Sequence, residues 1–254
     1  MAGPAWLGIG AQRSGTTWFS DLLLQHPQMA LAKDGRKEVH FFDRYLTEPW
    51  TDSESSGYRA LFDEDRRSGD FTPAYMRSLW IPPLARRACG EGVLVLALLR
   101  DPVERFASAL RWYATRPDIP GASSDRRLYL NWVRDKGNDA LWGGMYATQL
   151  AAWAREFPRD RFIVLQYEAV RDDPQAAADR VWKALGLESR RLRATAEPSW
   201  TTTAMEAPPP EPWTSLPGLD RQLRDLYAPE IDALAREWGI DRGLWRSANG
   251  GAAR

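Results

Sequence analysis

Cysteine is nearly absent: Cys89 is the single thiol in 254 residues. An internal disulfide is therefore excluded, and the usage fits a reducing compartment or a disulfide-free secreted protein. Net charge is also missing, because 34 basic side chains are matched by 34 acidic ones. A general nucleic-acid or anionic-membrane surface is not implied, and any charge recognition must come from local clusters. No apolar run approaches the ~20 residues that span a bilayer. The first apolar run starts at Trp6, leaving no room for a secretory leader, so a cytoplasmic location is expected. No cysteine or histidine cluster has metal-ligand spacing, and no metal is expected. Internal repeats are lacking too, and the length suits one large core. The expectation is a single domain over residues 1–246 with a frayed tail at 247–254.

What is present starts with Trp6–Gln25, WLGIGAQRSGTTWFSDLLLQ. A short apolar run breaks at Gly10 into a tight polar loop and resumes at Thr16 as a helical pattern, with Trp18, Leu22 and Leu23 at core spacing. Strand, anion loop and helix follow. Gly10 and Gly15 allow close backbone approach, so free N–H groups at the helix start can point at an anion with the helix dipole behind them. Thr16 and Thr17 add hydroxyls and Arg13 a fixed charge, so the loop suits a phosphate. Gly10 and Gly15 have the spacing of the nucleotide-triphosphatase loop, but Thr16 stands where that loop needs lysine.

The second informative stretch is Lys37-Glu38-Val39-His40-Phe41-Phe42-Asp43. In an extended chain Glu38 and His40 share one face, while Val39 and Phe41 pack on the other. A glutamate in a partly dry cleft, its pKa raised by burial, would suit a general base. Between them and the next motif, 44–68 is polar and turn-rich and reads as a surface excursion, with Tyr58, Leu61 and Phe62 as helix-face anchors. The unbroken apolar runs Val93–Leu99 and Phe162–Leu165 read as buried parallel strands. The first ends in Arg100-Asp101-Pro102, where Asp101 caps and Pro102 opens a helix to Thr115. Ser108 falls about two turns along from Arg100, so a guanidinium and a hydroxyl can address one phosphate. Further helices are expected at 79–88, 126–136 and 145–157, then after Asp173-Pro174, and from Leu219 with a break at Pro229. The alternation implies an α/β fold: a P-loop-like three-layer sandwich, its central sheet mainly parallel, with helices on both faces.

Arg13-Ser14-Gly15-Thr16-Thr17-Trp18 resembles the 5′-phosphosulfate loop of the sulfotransferases, whose usual form is Pro-Lys-Ser-Gly-Thr-Thr-Trp. Arg100-Asp-Pro-Val-Glu-Arg-Phe-Ala-Ser108 is similar to that family's 3′-phosphate motif. Lys-Glu-Val-His-Phe-Phe-Asp looks like the segment carrying the catalytic glutamate in the heparan sulfate 3-O-sulfotransferases, and Gly69–Met76 resembles their Glu-Lys-Thr-Pro-Ala-Tyr segment.

The resemblance implies a PAPS-dependent sulfotransferase, PAPS being 3′-phosphoadenosine 5′-phosphosulfate and PAP its product. Glu38 would be the base, with His40 and Asp43 as support and Arg13 as catalytic cation. Arg13, Ser14, Gly15, Thr16, Thr17, Trp18, Arg100 and Ser108 would hold the nucleotide. Phe71 replaces a lysine that helps hold an anionic polysaccharide in the heparan group. With Tyr75, Trp50 and Tyr58 it suggests an aromatic-lined pocket for a small-molecule or carbohydrate hydroxyl or amine. The basic loop that closes the nucleotide site near the family's C-terminus has no clean counterpart at 200–216; Arg190, Arg191 or Arg193 could substitute, and 208–217 could be a lid. Two rivals stay open, a kinase-like phosphotransferase and an idle nucleotide-binding relative. Oligomeric state has no signal in the sequence.

Overall fold

A computed structural model describes residues 3–114, 126–193 and 218–248. The elements in chain order are β1 (Trp6–Gly10), α1 (Thr16–Leu23), β2 (Met29–Ala30), α2 (Asp52–Arg59), β3 (Arg67–Phe71), α3 (Ile81–Cys89), β4 (Leu94–Leu99), α4 (Pro102–Ala114), α5 (Arg126–Trp142), α6 (Tyr146–Ala154), β5 (Phe162–Gln166), α7 (Tyr167–Asp172), α8 (Pro174–Ala184) and α9 (Leu219–Trp238). They fall into two compact units, Met1–Leu99 with Thr148–Ala194, and Arg100–Ala147 with Thr195–Arg254.

The first unit holds a five-stranded sheet of order β2-β3-β1-β4-β5, parallel throughout. Every residue of β1, β4 and β5 is buried, as expected of strands covered on both faces. The connection β1-α1-β2 runs one way across the sheet, and β2-α2-β3 and β3-α3-β4 run the other. Right-handed crossovers then put α1 on one face and α2 and α3 on the opposite one. The contacts agree: Arg59 Nη1 donates to Ala88 O at 3.0 Å between α2 and α3, and Trp182 Nε1 of α8 donates to Leu23 O of α1 at 3.2 Å. Strand order reverses at β1, and ligands of open α/β sheets bind beyond the carboxyl end at such a point.

The β1–β3 register is set by size. Trp6 pairs with Gly69 and Gly8 with Phe71, so each large ring lies over a position without a side chain. The two rings meet edge to face with centroids 6.0 Å apart. A Cβ at Gly69 would lie 2.3 Å from the Trp6 ring and 2.5 Å from the Trp6 carbonyl oxygen.

Several local expectations differ. In 44–68 the expected anchors Tyr58 and Phe62 are buried, Leu61 is only half-buried, and Thr51 and Glu54 form a capping box on α2. In α1 the core positions are Phe19, Leu22 and Leu23, while Trp18 is half-buried against Tyr167, ring centroids 6.2 Å apart. α5 continues through Asn138. The break falls at Gly143 and Gly144, where a Cβ would meet the Arg105 guanidinium at 2.7 Å or the Tyr227 ring at 2.8 Å. α9 runs uninterrupted past Pro229, its buried face of Leu223, Tyr227, Ile231 and Leu234 outweighing the lost hydrogen bond. Ser247 is buried, and its N–H donates to Asp101 Oδ2 at 2.8 Å, so the chain is anchored at that point instead of frayed. The segments 200–216 and 208–217 and the residues after 248 lie outside the described residues.

Gly69→Ala should cost about 3 kcal/mol, because the clash includes backbone. Urea melts would measure this; a loss under about 0.5 kcal/mol would show that β1 and β3 can part without penalty.

Candidate active site

In the first unit, the loop after β1 is built as the spacing predicts. Ala11 N–H donates to Leu98 O at 2.8 Å, fixing the loop's start to β4. Arg13 and Gly15 have φ of 68° and 83°. Gly15 is the N-cap of α1 and provides no side-chain cap, so the first-turn N–H groups are left for an external acceptor. Left-handed Gly15 beside helical Thr16 is also the conformational pairing of anion-binding nests. Ser14 is fully buried, and its Oγ has no hydrogen-bond partner among the described residues. A buried hydroxyl is costly in that state, so an orphan in this loop fits an anionic ligand that would satisfy it. Thr16 is buried, Thr17 exposed, and Arg13 half-buried.

The Lys37–Asp43 segment is not a strand, yet its side chains divide as expected: Val39 is buried, while Glu38 and His40 are exposed. It is held by β3 and the turn after it. Phe71 N–H donates to Lys37 O at 3.1 Å. Thr72 Oγ1 accepts from Val39 N at 3.0 Å and His40 N at 3.4 Å, and Tyr75 Oη accepts from Phe41 N at 2.8 Å. His40 has φ 55°, a left-handed turn that sends Phe42 into the core, its ring 4.5 Å from Tyr58 and 5.2 Å from Tyr75 by centroid.

Beneath these contacts lies Asp70, fully buried. Its carboxylate accepts from Thr72 Oγ1 at 2.6 Å, Tyr58 Oη at 2.9 Å and Val39 N at 3.4 Å. Burial raises its pKa to about 6 although those donors pull the other way. Burial, then the Asp70 charge, pushes the Tyr58 and Tyr75 hydroxyls far up, so both stay protonated.

At the surface of the segment the side chains form a chain. His40 Nδ1 lies 2.6 Å from Asp43 Oδ2 and His40 Nε2 3.3 Å from Glu38 Oε2. Lys37 Nζ donates to Glu38 Oε1 at 2.9 Å and to Thr17 Oγ1 at 3.4 Å. A carboxylate and an imidazole therefore converge beside the loop after β1. The expected partly dry cleft is absent, since the Glu38 side chain is 41% exposed. The aromatic pocket also differs. Phe71, Tyr75 and Tyr58 are fully buried and support the segment from below, leaving Phe41 and Trp50 half-buried. The cation missing at position 71 is present in space, because Lys37 Nζ lies 5.3 Å from the Phe71 ring centroid.

In the second unit, Asp101 caps α4 as predicted, Oδ1 accepting from Val103 N at 2.9 Å and Glu104 N at 3.3 Å. Tyr146 Oη donates to Arg100 O at 3.0 Å. Arg100 and Ser108 are both buried, and Arg100 Nη2 donates to Glu104 Oε2 at 3.0 Å. Arg100, Glu104 and Ser108 recur every four residues, so the pair shares one face with a carboxylate between them. In the first unit, Arg190, Arg191 and Arg193 are exposed, and Arg193 N–H donates to Gln25 Oε1 at 2.8 Å.

Among the described residues no group of three or more His, Cys, Asp or Glu is gathered to hold a metal, and no helix is long and apolar enough to cross a membrane. The pattern missed Asp70, Lys37 and Glu104. A carboxylate within a buried strand and a lysine preceding the candidate base were their only sequence signals.

A glycine loop at the reversal point of a parallel sheet, with a Glu-His pair beside it, lies where open α/β domains place their ligand sites. The particular family follows from comparison: the family described as Sulfotransferase domain matches residues 5–207, and the chain belongs to it. It is 29% identical over 192 residues to heparan sulfate glucosamine 3-O-sulfotransferase 3A1 of Mus musculus, a match covering 73% of this chain and 46% of the mouse protein. The human 3B1 enzyme of the same name is 28% identical over 190 residues, with the same coverages of 73% and 46%. The chain thus spans about half the length of the curated relatives it matches. In fold it is similar to a sulfotransferase from Alicyclobacillus acidocaldarius (TM-score 0.68, 21% identity, 97% of this chain and 100% of that one). It is also similar to the sulfotransferase domain of the Synechococcus PCC 7002 olefin synthase (TM-score 0.57, 16% identity, 95% and 97%).

Asp70 makes a pH prediction. Its folded pKa lies above the unfolded value of 3.8, so its stabilising contribution is complete below about pH 4 and is lost as pH rises through 6. Relative to Asp70→Asn, the wild type should lose about 3 kcal/mol of unfolding free energy between pH 4 and 7. Urea melts of both proteins across that range check it; parallel curves would contradict it.

Proposed function

We propose that this protein transfers a sulfuryl group from PAPS to a hydroxyl or amine of a small-molecule or carbohydrate acceptor, with Glu38 as general base. One observation carries the reading: Lys37 ties the Glu38 carboxylate to Thr17, so the proton acceptor stands against the anion loop. The orphaned Ser14 hydroxyl and uncapped α1 fit an anionic ligand there.

Arg13, Ser14, Gly15, Thr16, Thr17 and Trp18 would hold the 5′-phosphosulfate, and Arg100 with Ser108 the 3′-phosphate. PAPS supplies sulfur bonded to a phosphate leaving group. Glu38 takes the acceptor's proton as the acceptor oxygen or nitrogen bonds to sulfur and the sulfur–oxygen bond to the 5′-phosphate breaks. Arg13 and the loop N–H groups meet the electron pair that departs on the phosphate oxygen. His40 orients Glu38 and is itself oriented by Asp43.

A kinase-like phosphotransferase is disfavoured by Thr16 in the lysine position, and an idle relative by Glu38 and its partners. Because Lys37 sits over Phe71, position 71 gives no ground for excluding a glycan acceptor. The lone Cys89 favours the cytoplasm.

PAP at about a hundred times its dissociation constant should add ~2.7 kcal/mol and raise the melting midpoint by roughly 5 to 10 °C, while Mg-ATP should not. Arg100→Ala should weaken PAP binding about 10- to 100-fold, the worth of a charged hydrogen bond. Stabilisation by Mg-ATP alone would assign the loop to phosphoryl transfer.

A further inference from the structure

Lys37 occupies a position that the base and the loop share. Its Nζ donates to Glu38 Oε1 at 2.9 Å and Thr17 Oγ1 at 3.4 Å, its side chain is 17% exposed, and Nζ lies 5.3 Å from the Phe71 ring centroid. The charge also reaches Asp21 on α1, opposing the upward shift that burial imposes on that carboxyl. An ammonium has three hydrogens to donate, and among the described residues the third has no protein partner. Donation into Thr17 Oγ1 leaves the threonine's own hydrogen for a ligand oxygen. As a stabilising ion pair Lys37–Glu38 is weak, because the carboxylate is substantially exposed. Its value lies in what happens when Glu38 changes charge.

We propose that Lys37 is a catalytic cation of the transfer step, its ammonium neutralised by Glu38 at rest and turned to the oxygens of the moving sulfuryl group when Glu38 takes the acceptor proton. No proton leaves Lys37 and no bond forms to it. Glu38 becomes neutral as negative charge spreads over the sulfuryl and leaving phosphate oxygens, so the cation loses its partner as its new one appears. An interaction stronger in the transition state than before it raises turnover without tightening ground-state binding.

The inference rests on the sulfotransferase reading, and the test separates the two. Wild type, Lys37→Met, Lys37→Arg and Lys37→Ala are compared for PAP affinity, melting midpoint and single-turnover consumption of PAPS, with water or the best of a panel of hydroxyl-bearing acceptors. Lys37→Met keeps an unbranched side chain without the charge and should bind PAP within about threefold of wild type while the transfer rate falls roughly 10²- to 10³-fold. Lys37→Arg should recover part of that loss, and ethylammonium in the buffer should rescue Lys37→Ala. A wild type that binds PAP and transfers beside an equally fast Lys37→Met overturns this inference alone. So does a Lys37→Met whose rate loss is matched by lost PAP affinity or a lowered midpoint, which marks a structural role. A wild type that neither binds PAP nor consumes PAPS overturns the parent reading, and this one with it.

Discussion

The candidate site depends on a buried carboxylate. Asp70 has no exposed surface, and burying an ionised group without partners is far more costly than any single contact gains. It persists because Thr72, Tyr58 and Val39 converge on it. The same groups hold the Lys37–Phe42 segment: Thr72 takes the Val39 and His40 N–H groups while it donates to Asp70, and Tyr75 takes that of Phe41. Satisfying Asp70 and positioning Glu38 are one event. A half-satisfied network of this kind would be worse than an apolar core, which makes the arrangement all-or-none.

The network is aimed by the sheet. Asp70 lies between Gly69 and Phe71, whose pairing with Trp6 and Gly8 allows one close register of β3 on β1. A one-residue slip would turn Asp70 to the opposite face. The register that fits two large rings over two glycines therefore also brings the Glu38 segment, through Lys37, to the loop at the end of β1. Packing complementarity supplies the positional precision, and the hydrogen bonds transmit it.

Much of this was legible in the sequence because it is local. Apolar runs gave β1, β4 and β5; the glycine spacing gave the anion loop; Asp101-Pro102 and Asp173-Pro174 gave helix starts that the structure keeps. Glu38 and His40 were legible from alternation. What was not legible depends on distant partners. Val39 meets Thr72 at a separation of 33 residues, and nothing near Asp70 announces that Tyr58 will donate to it. Lys37 reads as an ordinary surface charge until Thr17 is seen beside it. Composition does not tell which way a ring faces, so the aromatic-lined pocket expected of Phe71, Tyr75, Trp50 and Tyr58 differs from the fold, where three of the four are fully buried. The expected break at Pro229 is absent because a local rule, that proline ends helices, yields to a buried face on both sides of it.

The central claim is that Glu38, held against the anion loop, removes the acceptor proton during sulfuryl transfer. Single-turnover transfer from radiolabelled PAPS by wild type and Glu38→Gln, with PAP affinity measured on both, tests it most directly. The account predicts equal PAP affinity and a transfer rate lowered at least a hundredfold in the variant. Transfer that survives the substitution, with PAP bound as before, would contradict it and move the base to another group, His40 first.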